Sequence, residues 1–170
     1  LKSGTVTQSG AWVVPGTTTV FSNGSITLSE AANNFGGAVS VTGADVTLVD
    51  AGAIILGTST VTGTYAVTAT AGGGITDSGV LDIRGASTFT AANGQSIILD
   101  SANIFRNPSV TFTGVGGSLS NVTINDSGGT TTTGAFELAA LTLTGKLDVT
   151  SGGSITQRGA LDIDGTTTLV

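Results

Sequence analysis

Along the chain, short words alternate apolar residues with Thr, Ser or Asp and then break at Gly, as in Val39-Ser40-Val41-Thr42 and Ile97-Ile98-Leu99-Asp100. Alternation of this kind sends apolar side chains to one face of a strand and polar ones to the other. The words are anchored by Val6, Val13, Val20, Ile26, Val39, Val46, Ile54, Val61 and Val67, mostly about seven residues apart. Three such steps make a loop of roughly twenty residues, the size of one coil when a chain winds with a few short strands per turn. Val6, Thr27, Thr47 and Val67 then fall near one edge of successive coils. No segment keeps a helical period. The pattern predicts an all-β β-solenoid of short parallel strands, roughly three per coil and about 4.8 Å apart, without helix beyond a turn.

A second, longer period confirms repetition. Thr7-Gln8-Ser9-Gly10 recurs as Thr76-Asp77-Ser78-Gly79 and Thr156-Gln157-Arg158-Gly159, each leading to a cluster that starts at Gly16, Gly85 or Gly165. Ala32-Asn33-Asn34-Phe35 returns as Ala102-Asn103-Ile104-Phe105, and Val46-Thr47-Leu48-Val49-Asp50 as Val122-Thr123-Ile124-Asn125-Asp126. The offset between paired words grows along the chain, which places insertions at turns, as around Gly128 to Gly134. Residues 1–170 read as a single solenoid segment with tandem repeats at about 4–72 and 73–152 and a partial third at 153–170. A β-sandwich has short strands too, but no reason to repeat its words.

Composition sharpens this picture. The chain has 27 Gly, 31 Thr, 2 Pro and 9% charged residues. Thr and Val favour a pleated surface, and Gly marks tight corners. A 39% hydrophobic fraction and a mean hydropathy of +0.39 argue against a solvated coil. Against 11 acids stand only Lys2, Arg84, Arg106, Lys146 and Arg158, for a net charge of −6. Scattered cations are a poor match for phosphate, so nucleic acid is not expected as a partner. No apolar run reaches the length of a membrane span, so no membrane insertion is expected. With no Cys, stability rests on packing and backbone hydrogen bonds.

The words Gly73-Gly74-Ile75-Thr76-Asp77-Ser78-Gly79-Val80-Leu81-Asp82-Ile83 and Asn34-Phe35-Gly36-Gly37-Ala38-Val39-Ser40-Val41-Thr42-Gly43-Ala44 resemble the repeat arrays of filamentous-haemagglutinin-like and autotransporter-like giant adhesins. The resemblance implies a right-handed parallel β-helix, export across a Gram-negative envelope to the cell surface or beyond, and a role in adhesion or surface structure. The secretion-recognition domain of that family is not recognisable in residues 1–170.

Candidate chemistry is sparse. Asp162 and Asp164, joined by Asp82 if its coil aligns, form the nearest approach to a carboxylate pair for sugar hydrolysis. At alternating positions of one strand they read as a shared solvent face. Lacking His and Cys, the chain offers no nucleophile–base pair, so no catalytic residue and no enzymatic activity are expected. The Gly-Gly-x-Gly-x-Asp calcium repeat is missing; Asp50, Asp77, Asp100 and Asp126 lie singly near corners, where Asp bonds its own turn. No metal or cofactor is expected.

Asn33 and Asn103 are expected at equivalent corners, in a left-handed backbone with amides bonding neighbouring coils. Phe35 and Phe105 are expected to fill the interior beside them. Trp12 and Tyr65, the aromatics with a polar edge, fit core or groove packing better than a sugar platform. Thr-x-Thr words at Thr5, Thr58, Thr68, Thr88, Thr111 and Thr142 suggest the Thr ladders with which some β-solenoids bind ice, yet their spacing along the chain is irregular.

The sequence thus predicts a structural or adhesive rod of an extracellular surface protein or filament. An ice- or glycan-binding module through Thr-rich faces is the alternative, followed by a polysaccharide-active enzyme. The expected partners are further solenoid repeats or identical subunits stacked end to end, with a host or matrix glycan as a candidate ligand. Neither end shows an evident cap, which carries the expectation of end-to-end continuation.

Overall fold

The computed structural model describes residues 4–107, 109–129 and 135–170. Among these residues the chain forms 23 short strands and no helix, and every strand pairing is parallel. The first turns comprise β1 (Val6–Thr7), β2 (Val13–Val14) and β3 (Thr18–Phe21), then β4 (Ile26–Leu28), β5 (Asn34–Phe35) and β6 (Val39–Gly43). Next come β7 (Val46–Asp50), β8 (Ile54–Leu56) and β9 (Ser59–Val61), followed by β10 (Tyr65–Ala69), β11 (Ile75–Asp77) and β12 (Leu81–Ile83). The succeeding strands are β13 (Ser87–Ala92), β14 (Ile97–Leu99), β15 (Ile104–Phe105), β16 (Ser109–Val115) and β17 (Val122–Asp126). The chain continues through β18 (Phe136–Leu138), β19 (Leu141–Leu143), β20 (Leu147–Ser151), β21 (Ile155–Gln157), β22 (Leu161–Ile163) and β23 (Thr167–Leu169).

Each of the nine anchors read from the sequence lies in a strand of its own. β5 (Asn34–Phe35) has no anchor, because it opens on Asn34 inside the Asn-Phe word and carries no β-branched residue. An eight-stranded sheet runs β1-β4-β7-β10-β13-β16-β18-β21, one strand from each of eight turns. Val6 pairs with Ile26, Ile26 with Val46, and Val46 with Tyr65, so each of these turns takes roughly twenty residues, the coil length expected from the spacing of the words. The step from Val110 to Leu138 is distinctly longer. That lengthening coincides with the insertion expected around Gly128 to Gly134, of which residues 130–134 lie outside the described residues.

The expected edge of Val6, Thr27, Thr47 and Val67 lies in this sheet but is off by one position in two places. Thr7, not Val6, stands beside Thr27, and Ala66, not Val67, stands beside Thr47. Side-chain parity forces this, since Val6 and Val67 face inward and the Thr residues outward.

An eleven-stranded sheet covers other sides, with path β15-β12-β9-β6-β8-β11-β14-β17-β20-β23 and β3 joined to β6. Its course reveals how the long repeat is built. The pair β2–β5 has no further member, while β6 is followed by two strands, Val39 pairing with Leu56 of β8 and Thr42 with Thr60 of β9. One strand column ends there and another divides.

Ten strands later the same event recurs. β12–β15 ends as β2–β5 does, and β16 pairs with β18 as β6 pairs with β8. The β6–β9 pairing survives as a single bridge between Leu119 and Leu143. All other pairings of β1 to β10 reappear with ten added to each strand number. The long repeat is therefore a unit of ten strands. Ten strands do not close on the starting side: β1 lies in the eight-stranded sheet and its counterpart β11 in the eleven-stranded one, while β21 returns to the first because there β16 is followed by β18, a step of two strands.

Inward residues form one continuous core from Ile26 to Val149. In its middle, Phe89 meets Tyr65 and Phe105 edge-on at 5.9 and 6.1 Å and stacks on Phe112 at 6.0 Å. Tyr65 is wholly buried and Trp12 packs against the core from its margin. Corners stack backbone on backbone at Gly72–Gly73. Gly72 has φ +65°, and a Cβ on Gly73 would collide with the Gly52 carbonyl one turn below.

Candidate functional site

The most organised polar chemistry lies where the columns end, in two clusters built from words of the long repeat. In the first, Asn33 precedes β5 and is fully buried. Its Nδ2 donates to Gln8 Oε1 at 2.9 Å and to the Val49 carbonyl at 3.1 Å. Its Oδ1 accepts from Gln8 Nε2 at 2.7 Å and from the Trp12 N–H at 2.9 Å. One amide thereby ties three turns together. Asp50, also fully buried, closes the end of β5: Oδ2 accepts the Phe35 N–H at 2.7 Å and Oδ1 the Gly52 N–H at 2.6 Å. The Phe35 N–H faces the turn that lacks a partner strand, and a buried amide without an acceptor is costly. The carboxylate takes the place of the missing strand.

The second cluster repeats the plan at β15. Asn103 Oδ1 accepts the Leu81 N–H at 2.9 Å, and its Nδ2 donates to Asp77 Oδ2 at 2.7 Å. Asp77 Oδ1 accepts the N–H groups of Asp100 and Ser101 at 3.1 and 3.3 Å. Asp126 Oδ1 accepts the Phe105 N–H at 2.8 Å. Phe35 and Phe105 turn into the core, 2% and 6% exposed.

Replacing Gln8 by Asp77 turns a reciprocal pair of neutral amides into a charged contact. Burial raises the Asp77 pKa above the ordinary carboxylate value, opposed by the bonds from Asn103 and Ser101. Burial also pushes Asp126 up to about 6, opposed by the Phe105 N–H.

Several expectations change. No residue other than Gly has positive φ among the described residues, so Asn33 and Asn103 act through their amides and not through left-handed backbone. Asp77 and Asp126 bond neighbouring turns, and only Asp50 also bonds its own turn. Local sequence does not pair Gln8, Asp77, Asp50 and Asp126 with the Asn words. The signal is nevertheless present, since the three words recur in the same order and at similar offsets in the two copies.

Asp82 does not join Asp162 and Asp164. It lies in the eleven-stranded sheet, bound through both carboxylate oxygens to Arg106 at 2.8 and 2.9 Å, whereas Asp162 sits in the separate pair β19–β22. Asp162 and Asp164 are both exposed. Among the described residues, no three His, Cys, Asp or Glu side chains converge as metal ligands. A cleft of about 340 Å³ beside the division of β16 is lined by Thr, Gly, Ser, Ala, Leu and Phe and holds no titratable group.

The Thr58 and Thr142 words lie in β9 and β19, outside the eight-stranded sheet, but the Thr88 and Thr111 words come into register within it. Turns of different length absorb the uneven spacing at the corners, so Thr88 pairs with Thr111 and Thr90 with Thr113.

Parallel pairing, stacked turns and a pairing scheme that recurs every ten strands define a repeat β-solenoid whose polar clusters serve its architecture. The chain belongs to the family described as repeats of unknown function (DUF5649), whose model matches residues 1–42, 43–112 and 119–170. The second and third matches begin at positions 43 and 119, the same interval that separates the Val46 and Val122 words. No curated protein and no solved structure matches the chain.

Proposed function

We propose that the chain is a rigid, non-enzymatic rod segment of an extracellular surface protein or filament. The observation that supports this reading is the ten-strand recurrence of the pairing scheme, which lets repeats follow one another along one axis without a change of architecture. Backbone ladders along that axis make a stiff spacer. Adhesion through such a rod arises from many weak contacts along its length, to a glycan or to neighbouring rods, and gains strength by multivalency. A chain that stabilises itself without Cys is compatible with export. Further solenoid repeats or identical subunits, stacked end to end, are its axial partners. The absence of His and Cys and the capture of Asp82 by Arg106 support a role without catalysis.

Length measurement tests the rod. Seven strand steps separate β1 from β21, two repeats apart, so each added repeat should lengthen the particle by about 17 Å. Electron micrographs of one to four concatenated copies should show constant width and linear growth. Globular particles, or growth in width, would overturn the proposal.

A further inference from the structure

The outward face of the eight-stranded sheet carries a regular array that the rod reading leaves unused. Parallel register aligns Thr7, Thr27, Thr47, Ala66, Thr88 and Thr111 in one row across β1, β4, β7, β10, β13 and β16. Two positions further along the strands, Val49, Thr68, Thr90 and Thr113 form a second row. Neighbours within a row are about 4.8 Å apart and the rows roughly 7 Å apart, as strand geometry dictates. Neither row contains a charged or aromatic residue.

The hydroxyls of these eight Thr residues make no hydrogen bond within the protein among the described residues. By contrast, Thr62, Thr64, Thr70 and Thr144, at corners, bond to Gly43, Asp45, Asp50 and Leu119. The array is thus a lattice of free hydroxyls and methyls held at fixed spacing by the backbone. β-Branched side chains keep few rotamers, so little further ordering is needed.

We infer that this face binds the surface of ice, each row holding a file of ordered water. Free hydroxyls at lattice spacing can replace water–water hydrogen bonds, while the methyl groups occupy gaps between them. A charge would organise water around itself and break the file, and the rows have none. A polysaccharide is the weaker fit, because Tyr65 is buried in the core and the rows offer no ring for a sugar to stack on. The inference concerns a side face and stands independently of the rod's role as a spacer.

The test is partition into slowly grown ice, with freezing hysteresis measured in parallel. The chain is compared with T88K/T111K, with T123K on the other sheet as control, and with folding checked by circular dichroism. The chain and T123K should concentrate in ice, and T88K/T111K should fall by about tenfold, since each Lys places a hydrated charge within the file. Exclusion of the chain from ice would overturn the inference, as would equal losses in T123K and T88K/T111K. Retention on cellulose or chitin that T88K/T111K abolishes, without enrichment in ice, would reassign the face to glycan.

Discussion

Truncating Asn103 to Ala leaves several groups without partners at once: the Leu81 N–H, the Leu99 carbonyl and Asp77 Oδ2 all meet its amide in the native fold. Each buried group so stranded costs of order 1 kcal/mol or more, so N103A should lose about 3 kcal/mol in urea unfolding. A loss below about 1 kcal/mol would mean that water substitutes for the amide. Asp126 makes a different prediction. Its folded pKa, pushed up to about 6, lies above the ordinary carboxylate value, so its contribution to stability is full below about pH 4 and is lost as pH rises through 6. Asn at this position keeps an acceptor for Phe105 N–H and carries no charge. D126N should therefore gain on the wild type between pH 4 and 7, by on the order of 1 kcal/mol after solvent screening. Parallel stability–pH curves for the two proteins would show the carboxylate to be indifferent to its burial.

At the scale of elements, the strands were legible because inward and outward positions alternate within nearly every word. Val46-Thr47-Leu48 shows its parity at sight, and parity also corrects the one-position error at Val6 and Val67. Asn34–Phe35 was legible as a corner but not as a strand, since it has no β-branched residue and follows directly on the Asn33 corner. Its pairing depends on Trp12, Val14 and Asp50, which are distant along the chain. The Thr rows were hidden for a related reason. Sequence spacing mixes strand length with corner length, and only the ladders separate them: the step from Thr68 to Thr90 is shorter than that from Thr90 to Thr113, yet both pairs are in register. The division of β6 into β8 and β9 leaves no mark in local composition and emerges only from pairing.

For the whole molecule, the ten-strand unit makes a prediction that sequence alignment alone does not. Thr7, Thr76 and Thr156 begin the same word, but β1 and β21 share the eight-stranded sheet and β11 does not. Spin labels at positions 7 and 156 should lie roughly 34 Å apart, seven strand spacings along one side. A clearly longer or shorter distance, measured by dipolar coupling in the folded protein, would refute that register. The sheet change between copies also bears on how such an array evolves. Duplicating a repeat does not extend a feature of one side as a continuous stripe; it prints the copy on another side, like a stamp on a turning roller. Any surface pattern confined to one side must therefore be composed separately in neighbouring copies, which leaves their outward residues free to diverge while their inward words stay alike.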